Sequence, residues 1–227
     1  MRINMVKFFK NDVKIDGKMK TKIRNDLLKE FPEFKKSSSC SLDKRIGCLL
    51  LGIGYYINHG TDIRMKYSVF NLSNPLDFMC ANLSMEPQNR WKVNWAKYEQ
   101  GLYKEMTQEL RDLAPIPIEG DVTLAQIING YKNYDLDHVI EERHFEDPAL
   151  IAAWCGRLDV AKDCLDWGKK AYYDRFKGAH NFPTLDDWYA HMLTRISDPE
   201  ALRQIVDEQI VHHKLQKLPY QELIVDL

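Results

Sequence analysis

The segment Ala114-Pro-Ile-Pro-Ile-Glu-Gly120 constrains this chain more than any other. Two prolines one residue apart remove two backbone donors and push the residues before them out of the helical region, so no helix runs through it. The hydrophobic spacing changes across it. Strand-like and helix-like stretches mix before it, and every periodic stretch after it has helical spacing. The segment therefore reads as a joint between an α+β region over 1–118 and a helical region over 119–227.

Within the first region, Met19, Ile23, Leu27 and Phe31 recur four apart, which predicts an amphipathic helix with a basic outer face, ended by Pro32. Residues 46–58 are rich in Leu, Ile and Tyr and predict a buried strand, with Gly52 and Gly54 marking a bulge or a close backbone approach. Turn residues at 58–61 lead to an alternating stretch, Ile63, Met65, Tyr67 and Val69, so the two strands form a hairpin. A further strand is expected around Leu76–Leu83, kept to an edge by Pro75, and a short one at Trp91–Trp95. Leu102, Met106, Leu110 and Leu113 predict a helix over 98–113.

Beyond the joint, Asp121 or Thr123 caps a helix from Leu124 to Tyr131, and Leu136–Phe145 follows. Asp147-Pro148 predicts a helix start, with Gly156 as its stop. Asp159 begins a helix that Gly168 ends, with Lys169–Phe176 as a possible extension. Thr184 caps Leu185–Ile196, and Asp198-Pro199 opens the last helix, to Leu215. The expected fold class is α+β: an N-terminal helix and a small antiparallel sheet, then an all-helical half of stacked helical hairpins.

Charge is uneven along the chain. The net charge is −1, which points to neither nucleic acid nor membrane. Residues 1–45 hold 13 Lys/Arg against six Asp/Glu, a net +7, whereas residues 133–166 hold nine acids against three bases, a net −6. The five cysteines have irregular spacing and no CxxC, which suits reduced thiols and a cytoplasmic location. No apolar run reaches membrane-spanning length.

No catalytic motif stands out, so the expectation is a protein that binds without chemistry of its own. His138, Glu141, Glu142 and His144 form the best metal-like cluster. His144 lies six residues beyond His138 and points away from it on a helix, which rules out the paired face of an HExxH zinc site. The adjacent His212 and His213 do not converge either. These histidines are expected at the surface, with pKa values raised by nearby acids. Gly52-Ile-Gly54 lacks the third glycine, the following helix and the spaced acid of a dinucleotide site. No metal and no cofactor is expected.

Trp and Tyr are dense after Gly120 and are interleaved with Asp163, Asp166, Asp174, Asp186 and Asp187. Such a face suits a basic partner. Asp135, Asp137, Glu141, Glu142, Glu146 and Asp147 are expected to supply its charge, with Trp154 or Trp188 as an anchor.

Two resemblances follow. Pro148, Leu150, Ala152, Ala153, Gly156, Leu158, Val160, Leu165 and Gly168 resemble one ankyrin-type helix–turn–helix. It is not repeated, and it lacks the Thr before Pro148 and the His after Leu150. It implies two closely approaching helices and nothing about a partner. In size, cytosolic character and its plan of α+β followed by helices, the chain resembles bacterial toxin-immunity proteins. That resemblance implies occlusion of a basic toxin domain by complementary charge and buried aromatics. The competing expectations are a nucleic-acid-associated protein using residues 1–45, disfavoured by the lack of a known module, and a metal-dependent hydrolase or nuclease with dispersed ligands.

Overall fold

The computed structural model describes residues 13–74, 81, 83–87, 93–134, 142–173 and 182–227. Its plan is the expected one: a helix, an antiparallel sheet, then helices. Helix α1 (Gly17–Glu30) opens on Asp16, whose Oδ1 accepts from the Met19 amide at 2.9 Å. It buries Ile23 and Leu27. The sheet runs β1 (Lys35–Lys36), β2 (Ser41–Ile46), β3 (Leu49–Asn58), β4 (Asp62–Asn71) and β5 (Leu83–Met85) as an antiparallel meander.

The β3–β4 hairpin forms as read, with Asn58 opposite Asp62 and the loop turned by His59 and Gly60 at φ 50° and 78°. One strand was missed. The stretch beginning at Ile46 divides at Gly47, φ 52°, and Ser41–Ile46 doubles back as β2. The expected bulge at Gly52 is absent. Gly52 pairs in register between Asp43 and Ser68, and a Cβ there would stand 2.9 Å from Ser68 Oγ and 3.0 Å from Asp43 Oδ1. Close approach is thus the reason for the glycine. At the other two sites, Leu83–Met85 is strand and Val93 makes a single bridge to Ile63, while 75–80, 82 and 88–92 lie outside the described residues.

Next come a short α2 (Trp95–Lys97), a π-turn (Tyr98–Leu102) reversed at Gly101 with φ 93°, and α3 (Tyr103–Leu113). The kink stacks three rings: Trp95 on Tyr98 at 5.4 Å and Tyr98 on Tyr103 at 4.9 Å.

The helical half holds α4 (Leu124–Lys132), α5 (Arg143–Trp154), α6 (Leu158–Tyr172), α7 (Leu185–Ile196) and α8 (Pro199–His212). Thr123 and Thr184 each close a capping box, and Asp198 caps α8 with Pro199 at its start. Two boundaries differ from expectation. Helix α5 begins at Arg143, so Pro148 is inside it rather than at its start. Its missing N–H removes a single i→i−4 bond, the one to the His144 carbonyl. Gly156 does end α5: Gly156 N–H bonds to Ala153 O and Arg157 N–H to Ala152 O, the Schellman pattern. Gly168, by contrast, does not stop α6. A Cβ there would lie 2.6 Å from the Phe145 carbonyl oxygen, so this glycine marks where α6 crosses α5. Of the expected helix 136–145, residues 136–141 lie outside the described residues.

The C-terminal segment returns to the sheet. Strand β6 (Tyr220–Gln221) pairs in parallel with Arg45 and Ile46 of β2. Further on, Ile224 exchanges hydrogen bonds with Val122 and Leu124, and Asp226 Oδ1 accepts from the Ala125 amide at 3.0 Å. Buried apolar residues from both sides of the joint belong to one cluster, from Ile15 to Leu215.

Candidate partner-docking face

The acids expected on a surface divide into three groups. Asp135, Asp137 and Glu141 lie outside the described residues, as does His138. Glu142 is half-buried, with the Tyr172 hydroxyl donating to it at 3.4 Å. Glu146 and Asp147 are interior, at 6% and 0% exposure, which corrects their expected place on a docking surface. Their helix is apolar on both sides of the pair (Phe145, Ala149, Leu150, Ile151), so only inward positions were open to them.

There the two carboxylates anchor a hydrogen-bonded network. Asp147 Oδ1 accepts from Asn71 Nδ2 at 3.0 Å and Asn74 Nδ2 at 3.1 Å, and Oδ2 accepts from the Tyr131 hydroxyl at 3.0 Å. Glu146 Oε1 accepts from Trp188 Nε1 at 2.9 Å, and Oε2 from Asn74 Nδ2 at 2.9 Å. Arg195 donates to Asn74 Oδ1 and the Ser73 carbonyl and stands 3.9 Å from Glu146. The network fastens the end of β4 to α4, α5 and α7. Every acceptor lies opposite a donor, the condition under which burying two acids is tolerated.

Trp188 is fully buried, so it is no surface anchor. Trp154 is half-buried beside Gly47, and its indole N–H is buried without an acceptor among the described residues. The two tryptophans should therefore differ on mutation. Trp188→Phe leaves Glu146 Oε1 short of a donor and should cost about 3 kcal/mol in urea unfolding. Trp154→Phe loses no hydrogen bond and should cost about 1 kcal/mol.

The histidine expectations are also corrected. His144 is buried among the rings of Tyr131, Tyr134, Phe145 and Trp167, at 5.4–6.2 Å. The pKa of His213 is lowered, first by burial and then by the charge of His212. Among the described residues, no group of three His, Cys, Asp or Glu is placed to hold a metal. Burial pushes the Cys155 thiol up to about 12 and the Cys164 thiol to about 11, and raises Cys48 as well, which makes poor nucleophiles of them at neutral pH.

The exposed residues of α6 and α7 mix acids, bases and aromatic rings. Asp159, Asp163 and Asp166 share the exposed stripe of α6 with Lys162 and Lys170, and Asp186 and Asp187 occupy the first turn of α7. Tyr173, at the end of α6, is 71% exposed. It borders a cavity of about 490 Å³ with Asp166, Lys169, Lys170 and Leu185.

The groups of this face are held in place by one another. Lys169 Nζ sits 2.6 Å from Asp186 Oδ1 and 4.6 Å from the centre of the Tyr189 ring. The Tyr189 hydroxyl donates to Asp166, and that bond lifts its pKa to about 12. Arg157 holds Asp159 down to about 2. Asp174 lies outside the described residues. From Glu119 onward the chain carries 20 acids and 12 bases, a net −8. No helix among the described residues is long and apolar enough to cross a membrane. No family model, curated protein or solved structure matches the chain.

Proposed function

We propose that this chain is a non-catalytic binding protein that docks a basic protein domain on its α6–α7 face, in the manner of a bacterial immunity protein occluding a cognate toxin in the cytoplasm. The observation that carries the reading is Tyr173, 71% exposed and lining a cavity of about 490 Å³. Leaving a tyrosine in water beside Leu185 and Asp166 suits an aromatic anchor that is desolvated on binding. With the interior Glu146 and Asp147 set aside, the chain from Glu119 onward still carries 18 acids against 12 bases, a net −6 that favours a positively charged partner. Alternating Asp and Lys along α6 then fix its register. A basic toxin domain of the phosphate-binding kind has the matching chemistry.

The test is calorimetric titration with the C-terminal domain of whatever large secreted protein is encoded immediately upstream of this chain, produced as a separate domain. Joint reversal of Asp163→Lys, Asp166→Lys and Asp186→Lys should weaken association on the order of 100-fold. Tyr173→Ala should weaken it about tenfold. All four positions are exposed, so Tyr173→Ala should leave the melting temperature steady, and the triple variant, which gives up the Asp166–Tyr189 and Asp186–Lys169 contacts, should lower it by only a few degrees without loss of folding. Unchanged affinity in both variants, no association at all, or substrate turnover by the purified chain sinks the reading.

A further inference from the structure

A second cavity, of about 510 Å³, lies at the proline joint, well away in sequence from α6 and α7. One wall is apolar: Leu113, 48% exposed, with Pro115 and Pro117. The other lining residues come from α4 and from Tyr134 just beyond it, whose hydroxyl donates to the Ser84 carbonyl. The joint and α4 touch at Gly130, whose missing side chain lets the Pro115 carbonyl lie against the helix; a Cβ there would be 2.2 Å from that oxygen. The joint is thus pressed onto α4 and forms a fixed trough.

Two carboxamides from α4 line it. Asn129 and Asn133 are exposed, four residues apart on one face. Neither side chain bonds to another group of the chain among the described residues. Other polar side chains nearby are committed: Gln126 completes the cap of α4, and Arg111 holds Glu30 and Glu119. Among the described residues, no charged side chain lines the trough.

A free carboxamide offers one donor and one acceptor side by side, the match of a peptide unit's C=O and N–H. Four residues of helix advance ~6 Å, and two residues of extended chain advance ~6.6 Å. Asn129 and Asn133 are therefore spaced to bracket alternate residues of an extended peptide, whose side chains on one edge face Leu113, Pro115 and Pro117. A charged side chain in that position loses water and gains no counter-charge, so an uncharged segment fits best.

We infer that the trough between the proline joint and α4 binds an extended, uncharged peptide segment of a partner protein, held through its backbone by Asn129 and Asn133. The site is independent of the α6–α7 face, and either survives without the other.

The experiment pans a phage-displayed random-peptide library against the intact chain, then measures enriched synthetic peptides by fluorescence anisotropy. Enrichment of uncharged sequences with apolar residues at alternate positions is expected. The double variant Asn129→Ala, Asn133→Ala should bind them about 100-fold more weakly, and Leu113→Ser about tenfold more weakly. Asn129→Asp keeps the side-chain shape, removes the donor and should also weaken binding. Melting temperatures of these exposed-site variants should match the parent, and the α6–α7 charge reversals should leave peptide affinity unchanged. No enrichment over an unrelated protein, enrichment of charged sequences, or equal binding by the double variant overturns the inference.

Discussion

Asp147→Ala should destabilise the fold by about 4 kcal/mol, read as a lower urea midpoint at unchanged slope. The carboxylate is fully buried and accepts from three donors. Asn74 keeps Glu146 as a second acceptor, but Asn71 Nδ2 and the Tyr131 hydroxyl lose theirs. Each orphaned buried group costs about 1–3 kcal/mol, and the two together set the magnitude. Against a typical domain stability of ~5–15 kcal/mol, such a loss leaves a marginal protein. Asp147→Asn should cost only about 1–2 kcal/mol, because its oxygen still faces the two asparagines and the tyrosine hydroxyl rotates to accept. Equal losses in the two variants would mean that side-chain volume, rather than hydrogen bonding, sets the cost.

Gly130→Ala should cost about 3 kcal/mol in thermal unfolding, although alanine is the better helix former. The added Cβ would meet the Pro115 carbonyl oxygen at 2.2 Å and the Ile116 side chain at 3.2 Å. The Pro115 oxygen is backbone, held by the prolines on either side, so the joint must lift from α4. Gly168→Ala has a looser contact, 2.6 Å from the Phe145 oxygen, and should cost about 2 kcal/mol. Gly17 provides the control. Nothing lies within 4 Å of a Cβ there, and Gly17→Ala should be neutral or slightly stabilising. Three equal effects would remove steric conflict as the explanation.

Most of the fold was legible wherever one physical signal acted alone. The β3–β4 hairpin follows from strict alternation around a turn, and α4, α7 and α8 follow from caps that proved real. Strand β2 escaped because Lys44 occupies an inward position between Leu42 and Ile46 and breaks the period-two pattern. Its ammonium is nevertheless buried, 2.7 Å from Glu33 and over the Phe34 ring at 5.0 Å. Gly168 misled because a glycine that ends a helix and one that admits a neighbouring helix are the same letter.

The site was less legible, for a related reason. Glu146 and Asp147 count as surface charge in any local tally, and their partners Asn71 and Asn74 lie more than 70 residues away. The available signal was an acidic pair inside an apolar stretch, which points to burial. The α6–α7 acids were legible as exposed because their partners, such as Arg157 for Asp159 and Thr184 for Asp187, lie close by in sequence and hold them at the surface.

The path of the last residues has a consequence for the joint. Pro219 and Gln221 accept the amides of Arg45 and Gly47 in the sheet, while Ile224 and Asp226 accept those of Leu124 and Ala125 at the mouth of α4. One short run of chain thus satisfies backbone donors on both sides of the prolines. Releasing it strands four amides in two architectures at once, so neither region gains freedom by letting go of the other. The joint is a change of building plan, not a seam along which the molecule parts.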